Sequence, residues 1–375
     1  MKVLISGAGI TGLALAHRAG ALGHEVVVLE RATRPRTSGY MIDFFGPGYD
    51  AAERMGVLPR LLELGYRVDE AAYVDPSGRR VAGLRFDRLA RAVDGRLVSV
   101  MRPDLERAFR EDLPAGVELR FGARVVGVED GPTGVDVRLA DGTTVSGDLL
   151  VGADGVHSAV RRLVFGDGHV RYLGFHTAAF TFDDPSVHAL VADRFCVTDT
   201  VGRQVGFYGL RDGRVAAFTV HRTPSPDLPN DPRAEVVRTY GSLGWVVPRA
   251  LARCPEDIYY DQVAQVELPR WSSGRVVLVG DACGAVSLLA GQGASLGIGG
   301  AYVLAGHLDD LAGYERAWRP VVQEKQRVAR SGARWFLPES PWRLRARRVA
   351  MRLSTLPGVD RVVATRLVGK PVVLG

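Results

Sequence analysis

The sequence is poor in cysteine and nearly devoid of lysine. Its three cysteines, Cys196, Cys254 and Cys283, show no Cys-x-x-Cys spacing. That excludes a disulfide framework and a cysteine-built zinc site, and it suits a reducing cytosol. The eight histidines show no His-Glu-x-x-His or similar spacing, so no metal is expected. No Ser/His/Asp triad is evident either. Lysine occurs three times against 45 arginines, a bias of genome composition more than of chemistry. Residues 282–308 hold no charged side chain, but seven glycines, Gln292 and two serines interrupt them. They read as a buried loop and helix, not a membrane span. The chain begins directly in a strand, so no signal peptide is expected.

What is present is an ordinary globular composition. Of 375 residues, 46% are hydrophobic and 24% charged, enough for a large core and two domains. The net charge of +6 is uneven: residues 331–375 hold nine Lys/Arg and two Asp/Glu, so the remainder is near −1. Any basic partner surface therefore belongs to the tail. Nucleic-acid binding is not expected, because the body is near neutral and the tail lacks interleaved aromatics.

Residues 2–6 read as a buried strand and 10–22 as a helix, with Gly7-Ala8-Gly9-Ile10-Thr11-Gly12 on the turn between them. Gly7 permits the turn, Gly9 lets the backbone approach a pyrophosphate, and Gly12 lets helix and strand pack closely. The helix start offers free N–H groups and partial positive charge. A second strand over 25–29 ends at Glu30, whose carboxylate can accept hydrogen bonds from an adenosine ribose. These features together predict a bound dinucleotide.

Further along, strands are predicted over 123–129 and 135–139. Asp141-Gly142 makes a hairpin turn before 143–146, and 149–151 returns to the nucleotide sheet. Residues 71–88 form a hairpin turned at Pro76-Ser77-Gly78. Residues 170–222 are strand-like, with Asp212-Gly213 joining 204–209 to 214–220, and 275–279 is a last buried strand. Residues 314–336 form an amphipathic helix with Tyr314, Trp318, Val321 and Val328 on one side. Trp342, Val349, Leu353 and Leu356 form a second apolar stripe, with Arg343, Arg347, Arg348 and Arg352 between them. That helix is expected to dock on its own protein with a solvated basic face. Attachment to an acidic membrane surface or partner is the alternative.

Three further segments carry a resemblance. Gly152-Ala153-Asp154-Gly155 is followed by Ser158 and Arg161. Gly280-Asp281-Ala282 is followed by Gly291-Gln292-Gly293-Ala294-Ser295. Met101-Arg102-Pro103-Asp104-Leu105 precedes both. At these residues the chain resembles the class A flavin-dependent monooxygenases, the p-hydroxybenzoate hydroxylase group. It is most similar to bacterial members acting on polyketide, tetracycline-like and other aromatic compounds.

The resemblance implies an α/β fold. A Rossmann-like FAD-binding domain of the p-hydroxybenzoate hydroxylase type would span 1–70, 95–168 and 272–330. An inserted, mostly antiparallel β-sheet substrate domain would span 71–94 and 169–271, with a basic helical tail over 331–375. The implied cofactor-binding set is Gly7, Gly9, Thr11, Gly12, Glu30, Arg31, Arg102, Val125, Asp154, Asp281, Gly291, Gly293, Ala294 and Ser295. Asp281 would hydrogen-bond the ribityl chain, and the Gly293 helix start would face the flavin pyrimidine. In the family the Asp154 segment touches the FAD pyrophosphate region and is linked to NAD(P)H use.

The implied reaction is reduction of FAD by NADH or NADPH, then O₂ uptake to a C4a-hydroperoxide. That species hydroxylates an aromatic or polyketide-like small molecule or, in some members, inserts oxygen beside a carbonyl. His176, Phe180, Tyr208, Phe218 and His221 are candidate substrate-pocket residues by strand position, and Leu288 a flavin-face residue. The family usually has His or Tyr where this chain has Gly284, and Pro where it has Leu288. Those departures predict a changed volume beside the flavin. A flavin reductase or oxidase on the same fold, and a non-catalytic flavin-binding protein, stand as alternatives. Monomer and homodimer both stay open.

Overall fold

A computed structural model describes residues 1–36, 39–287 and 291–353. Lys2–Ser6 is the central strand of a six-stranded sheet. The order is Ser272–Ser273, Val276–Leu278, Leu149–Gly152, Lys2–Ser6, Glu25–Glu30, Val117–Phe121. All neighbours pair in parallel except Ser272–Ser273, which runs antiparallel. Val3, Leu4, Ile5, Leu150, Val151, Val276 and Val277 are fully buried, as continuous apolar strands covered on both faces should be. The helices Ile10–Ala21 and Gly293–Ala305 pack on each other beside this sheet.

The three-stranded antiparallel sheet is Val125–Asp130, Val135–Leu139 and Thr144–Gly147. Its first strand starts two residues later than expected. Gly122 sits at φ +74°, and Ala123 N–H donates to the Glu30 carbonyl, which holds this stretch as a turn at the end of the nucleotide sheet.

The seven-stranded sheet follows the order Tyr259–Val266, Val170–Phe182, Val215–Arg222, Arg203–Gly209, Arg194–Thr200, Glu70–Val74, Arg80–Arg85. Only Arg194–Thr200 and Glu70–Val74 pair in parallel. The helices Pro185–Val191, Pro232–Tyr240 and Val247–Ala252 cover one face, over Phe180, Phe182 and Phe207. The other face is turned toward a two-stranded ribbon, Met41–Phe45 paired with Leu97–Met101.

Leu311–Phe336 and Pro341–Leu353 close the described chain. Tyr314 and Trp318 are buried as expected, whereas Val328 is exposed. In the last helix the expectation is inverted. Trp342 and Val349 are exposed, at 64% and 52%, and Arg347 is buried. The cause is Asp199, fully buried in the seven-stranded sheet, which pairs with both Arg347 and Arg348. Arg347 also lies over the Tyr73 ring, 5.0 Å from its centroid. The helix therefore docks through its basic side. Leu356 lies outside the described residues.

Candidate functional site

The parallel strands end side by side: Ser6 is in register with Gly152, and Gly152 with Leu278. That brings three segments from the start, middle and end of the chain together at the carboxyl edge of the sheet, where open α/β sheets take ligands. Gly7, at φ +106°, lies against Ala153; a Cβ there would stand 2.7 Å from the Ala153 carbonyl oxygen. Thr11 is wedged between Gly280 and Gly297, so it ties the first helix to both later segments. Around Gly9, by contrast, a Cβ would meet nothing within 4 Å. Gly9 is the N-cap of the helix Ile10–Ala21, with no side-chain cap and no acid in the first turn. The turn thus leaves room and free N–H groups for an anionic group.

Glu30 closes one side of this space. Its carboxylate accepts from Ala8 N–H and Ala32 N–H, both at 2.8 Å. Two such bonds leave lone pairs over for a ribose hydroxyl. Arg31 beside it is exposed. Val125 is buried in the core below the Glu30 turn.

The Asp154 segment is internal scaffolding. Asp154 accepts from Ser158 Oγ and from the N–H groups of Ala159 and Val160, at 2.7 and 3.2 Å, which caps the helix Ala159–Phe165. Arg161 is 2% exposed and donates to the carbonyls of Ala282, at 2.9 Å, and Val156, at 2.6 Å. Asp154 thus shapes its own turn and helix start, and Arg161 holds the middle segment against the third. Ser295 is likewise engaged: it accepts from Gly48 N–H at 2.9 Å and donates to the Phe45 carbonyl.

Asp281 opens the short helix Asp281–Gly284, following Gly280 at φ +64°. Its side chain is exposed although protein surrounds it densely, so its carboxylate lines an open cleft. Burial lifts its pKa, Arg102 counteracts this, and Asp261 adds to it. Gly293, first residue of an uncapped helix with no acid in its first turn, lies beside Asp281, whose Oδ1 would be 3.8 Å from a Cβ there. Ala294 is partly buried next to it, and Gly291, at φ +63°, has nothing within 4 Å of a Cβ.

Arg102 is the charge that acts on Asp281. Burial works against its charge, but Tyr40, Glu106, Tyr259 and Asp281 outweigh that and hold it charged. Its Nε is 3.3 Å from Glu106 Oε1. Burial raises the pKa of Tyr40 and that of Tyr259. The Tyr40 ring packs on Phe218 at 5.5 Å and Tyr259 at 5.7 Å. The Tyr208 hydroxyl accepts from Met41 N–H at 2.6 Å.

The structure brings Tyr208 and Phe218 to this side and leaves His176, Phe180 and His221 on the other. Side chains alternate along a strand, so Phe218 and His221, three apart, face opposite ways. His176 and His221 are register partners and meet under the helix Pro232–Tyr240. His176 Nδ1 pairs with Tyr260 Oη at 3.1 Å, and His221 Nδ1 with Tyr240 Oη at 3.0 Å. Phe180 packs in the helix-covered core. Leu288 lies outside the described residues. Gly284 is corrected outright: a Cβ would point to Val322 Cγ1 at 2.7 Å and Trp271 at 3.4 Å. The volume that a side chain would take is filled by the helix Leu311–Phe336, so glycine here makes no extra room. Tyr40, Tyr259 and Asp261 were missed by sequence reasoning; no spacing ties them to the glycine turn.

Comparison with known proteins agrees with this geometry. The family described as "FAD binding domain" matches residues 1–313. An uncharacterised protein of Mycobacterium tuberculosis is 34% identical over 345 residues, covering 86% of this chain and 91% of that one. A flavin-dependent monooxygenase of Legionella longbeachae is 30% identical over 328 residues, covering 85% and 83%. Among solved structures, Klebsiella pneumoniae HpxO complexed with FAD and uric acid has TM-score 0.82 and 25% identity, covering 99% of this chain and 97% of that one. Tetracycline destructase Tet(55) has TM-score 0.82 and 25% identity, covering 100% and 98%.

Proposed function

The chain belongs to the FAD-binding-domain family of flavin-dependent monooxygenases. From that premise we propose that it hydroxylates a bulky, planar aromatic or polyketide-like molecule, consuming NAD(P)H and O₂. What supports this is the exposed Asp281 carboxylate with the Gly293 helix start beside it, the Arg102 charge that acts on it, and the aromatic cluster of Tyr40, Phe218 and Tyr259.

FAD, when bound, accepts hydride from the nicotinamide and activates oxygen. The chain's own part is to hold and shield. Gly9 and the first helix start receive the pyrophosphate, and Glu30 the adenosine ribose. Asp281 takes the ribityl hydroxyls. The Gly293 helix start and the Arg102 charge favour negative charge on the reduced ring. Tyr40, Phe218 and Tyr259 supply aromatic surface that would shield a bound ring from water. In this division of labour, 1–70, 95–168 and 272–330 hold the cofactor, and 71–94 with 169–271 present the substrate.

The aromatic cluster of Tyr40, Phe218 and Tyr259 supports a planar aromatic substrate. HpxO, complexed with uric acid, and the tetracycline destructase are consistent with it. The test is to load the purified protein with FAD, then assay NADPH and NADH oxidation with a panel of phenols and polycyclic ketones. A product heavier by one oxygen, labelled from ¹⁸O₂, is the expected result. Turnover under strict anaerobiosis, with no oxygen in the product, would overturn the reading in favour of a reductase.

A further inference from the structure

Ala285, Val286 and Ser287 follow the short helix Asp281–Gly284 outside any helix or strand, and all three are buried. Their backbone carbonyls therefore need partners from elsewhere in the fold. Two glutamines supply them. Gln326, on the helix Leu311–Phe336, donates through its side-chain amide to the Ala285 carbonyl at 3.0 Å and the Val266 carbonyl at 2.8 Å. Gln265, on the strand Tyr259–Val266, donates to the carbonyls of Val286 and Gln326, both at 3.0 Å. Each amide spends both of its N–H groups. Val266 N–H adds a bond to the Ala285 carbonyl at 3.2 Å. The Gln265 Oε1 is fixed as well, accepting from Arg330 Nη1 at 2.8 Å. Both glutamines are buried, and a satisfied polar network in that setting is rigid.

The segment so held is strained. Ser287 has φ +94°, in a region that favours glycine. A non-glycine residue keeps such a conformation only where its surroundings enforce it. Gln265 and Gln326 fix the two residues just before it. Asp281 lies four residues before Ala285, and Gly291 four residues after Ser287. The clamp therefore sits between the carboxylate assigned to the ribityl chain and the glycine that precedes the Gly293 helix start.

The clamp also reaches the seven-stranded sheet. Tyr259 and Gln265 lie six residues apart on one strand and so share a face of it. Tyr259 packs on Tyr40 in the aromatic cluster. One strand carries part of that cluster at one end and the hold on the cofactor segment at the other.

We propose that Gln265 and Gln326 are positioning residues: they hold Ala285–Ser287 in its strained course and so set Asp281 and the Gly293 helix start against the flavin. The proposal rests on the placement of FAD given above. A helix start favours the reduced, more negative ring over the oxidised one. Loosening the clamp should therefore weaken binding of reduced FAD more than that of oxidised FAD.

The test is anaerobic reductive titration of the FAD-loaded protein against a reference dye, beside the Kd of oxidised FAD and the melting temperature. Gln265→Met keeps an unbranched side chain and loses the amide. It is expected to lower the reduced-to-oxidised affinity ratio about tenfold, a fall of about 30 mV for a two-electron couple. Gln326→Met, which leaves Val266 N–H on the Ala285 carbonyl, should lower it about threefold and serves if Gln265→Met yields no flavoprotein. Ser287→Gly, added to either variant, accepts the same φ without strain. It should recover at least half of the shift while the melting temperature stays low, because the carbonyl stays unpaired. Phe182→Leu, in the helix-covered core, should lower the melting temperature and leave the ratio unchanged. An unchanged ratio in the Met variants, an equal shift in Phe182→Leu, or no recovery with Ser287→Gly overturns the proposal. Asp281→Ala separates the two levels. If it leaves the Kd of oxidised FAD unchanged, the placement of FAD falls and the clamp with it. If it raises that Kd while the Met variants keep the wild-type ratio, the clamp alone falls.

Discussion

Glu30 offers the sharpest test of how the nucleotide is held. Replacing it with alanine removes the acceptor for two backbone N–H groups, Ala8 and Ala32, each at 2.8 Å in a turn that is 9% exposed at Glu30 itself. An amide left unsatisfied in such a place costs about 1–3 kcal/mol. The ribose adds a hydrogen bond to a charged acceptor, worth about 1.5–3 kcal/mol. Part of the amide cost falls on the apoprotein, so the binding loss is set mainly by the ribose term, about 10- to 100-fold in Kd at about 1.4 kcal/mol per decade. Glu30→Gln keeps one acceptor oxygen for one of the two amides and should lose about tenfold. The assay is FAD titration of apoprotein by flavin fluorescence, beside the nicotinamide KM at saturating FAD. Unchanged FAD affinity in Glu30→Ala, or a selective rise in the nicotinamide KM, would falsify the assignment of this turn to the FAD adenosine.

Three other outcomes are expected. Gly284→His should lower the apoprotein melting temperature through overpacking of about 1–3 kcal/mol against Val322; Val322→Ala should restore part of it, and a variant as stable as wild type would show that the wall yields. His221 is held neutral by burial and by His176, with its pKa lowered to about 4 from 6.5. The contribution is present above pH 6.5 and is lost as pH falls toward 4, about 3 kcal/mol in all; stability curves between pH 7 and 4 should be flatter in His221→Gln, and identical curves would refute this. Asp199→Ala strands Arg347 and Arg348 without their counter-ion, at a cost of about 3–5 kcal/mol; trypsin should then cut within 343–352 faster than in wild type, and an equal rate would mean the helix is held by other contacts.

What the sequence made legible follows from how local each determinant is. Lys2–Ser6 and Glu25–Glu30 are apolar runs bounded by a glycine turn and an acid, and their burial follows from their own composition. Gly7 announces a positive φ that few other residues tolerate, and Gly12 a contact with the Gly7 carbonyl that leaves no room for a Cβ. Gly284 misleads because its meaning lies in Val322, on a later helix, and in Trp271, in the loop before the strand Ser272–Ser273. The last helix is inverted because Asp199, which orients it, belongs to a distant strand of the seven-stranded sheet. The candidate pocket residues mix two faces of one sheet. Strand parity alone separates Phe218 from His221, but which face meets the ribbon depends on Tyr40 and Met101, outside that sheet.

The order of strands in the six-stranded sheet bears on how the protein is made. Lys2–Ser6 leaves the ribosome first, yet one neighbour, Leu149–Gly152, follows only midway through synthesis, and the edge beyond that waits for Val276–Leu278. At about 5–20 residues per second, the nascent chain carries this buried strand without its second neighbour for roughly 7–29 s. The glycine turn exists early, but Gly280 and Gly297, which wedge Thr11, arrive near the end of synthesis. Capture of the dinucleotide is thereby deferred until nearly the whole chain has emerged. Expression yield should then depend more on chaperone supply and growth temperature than on flavin supply during translation.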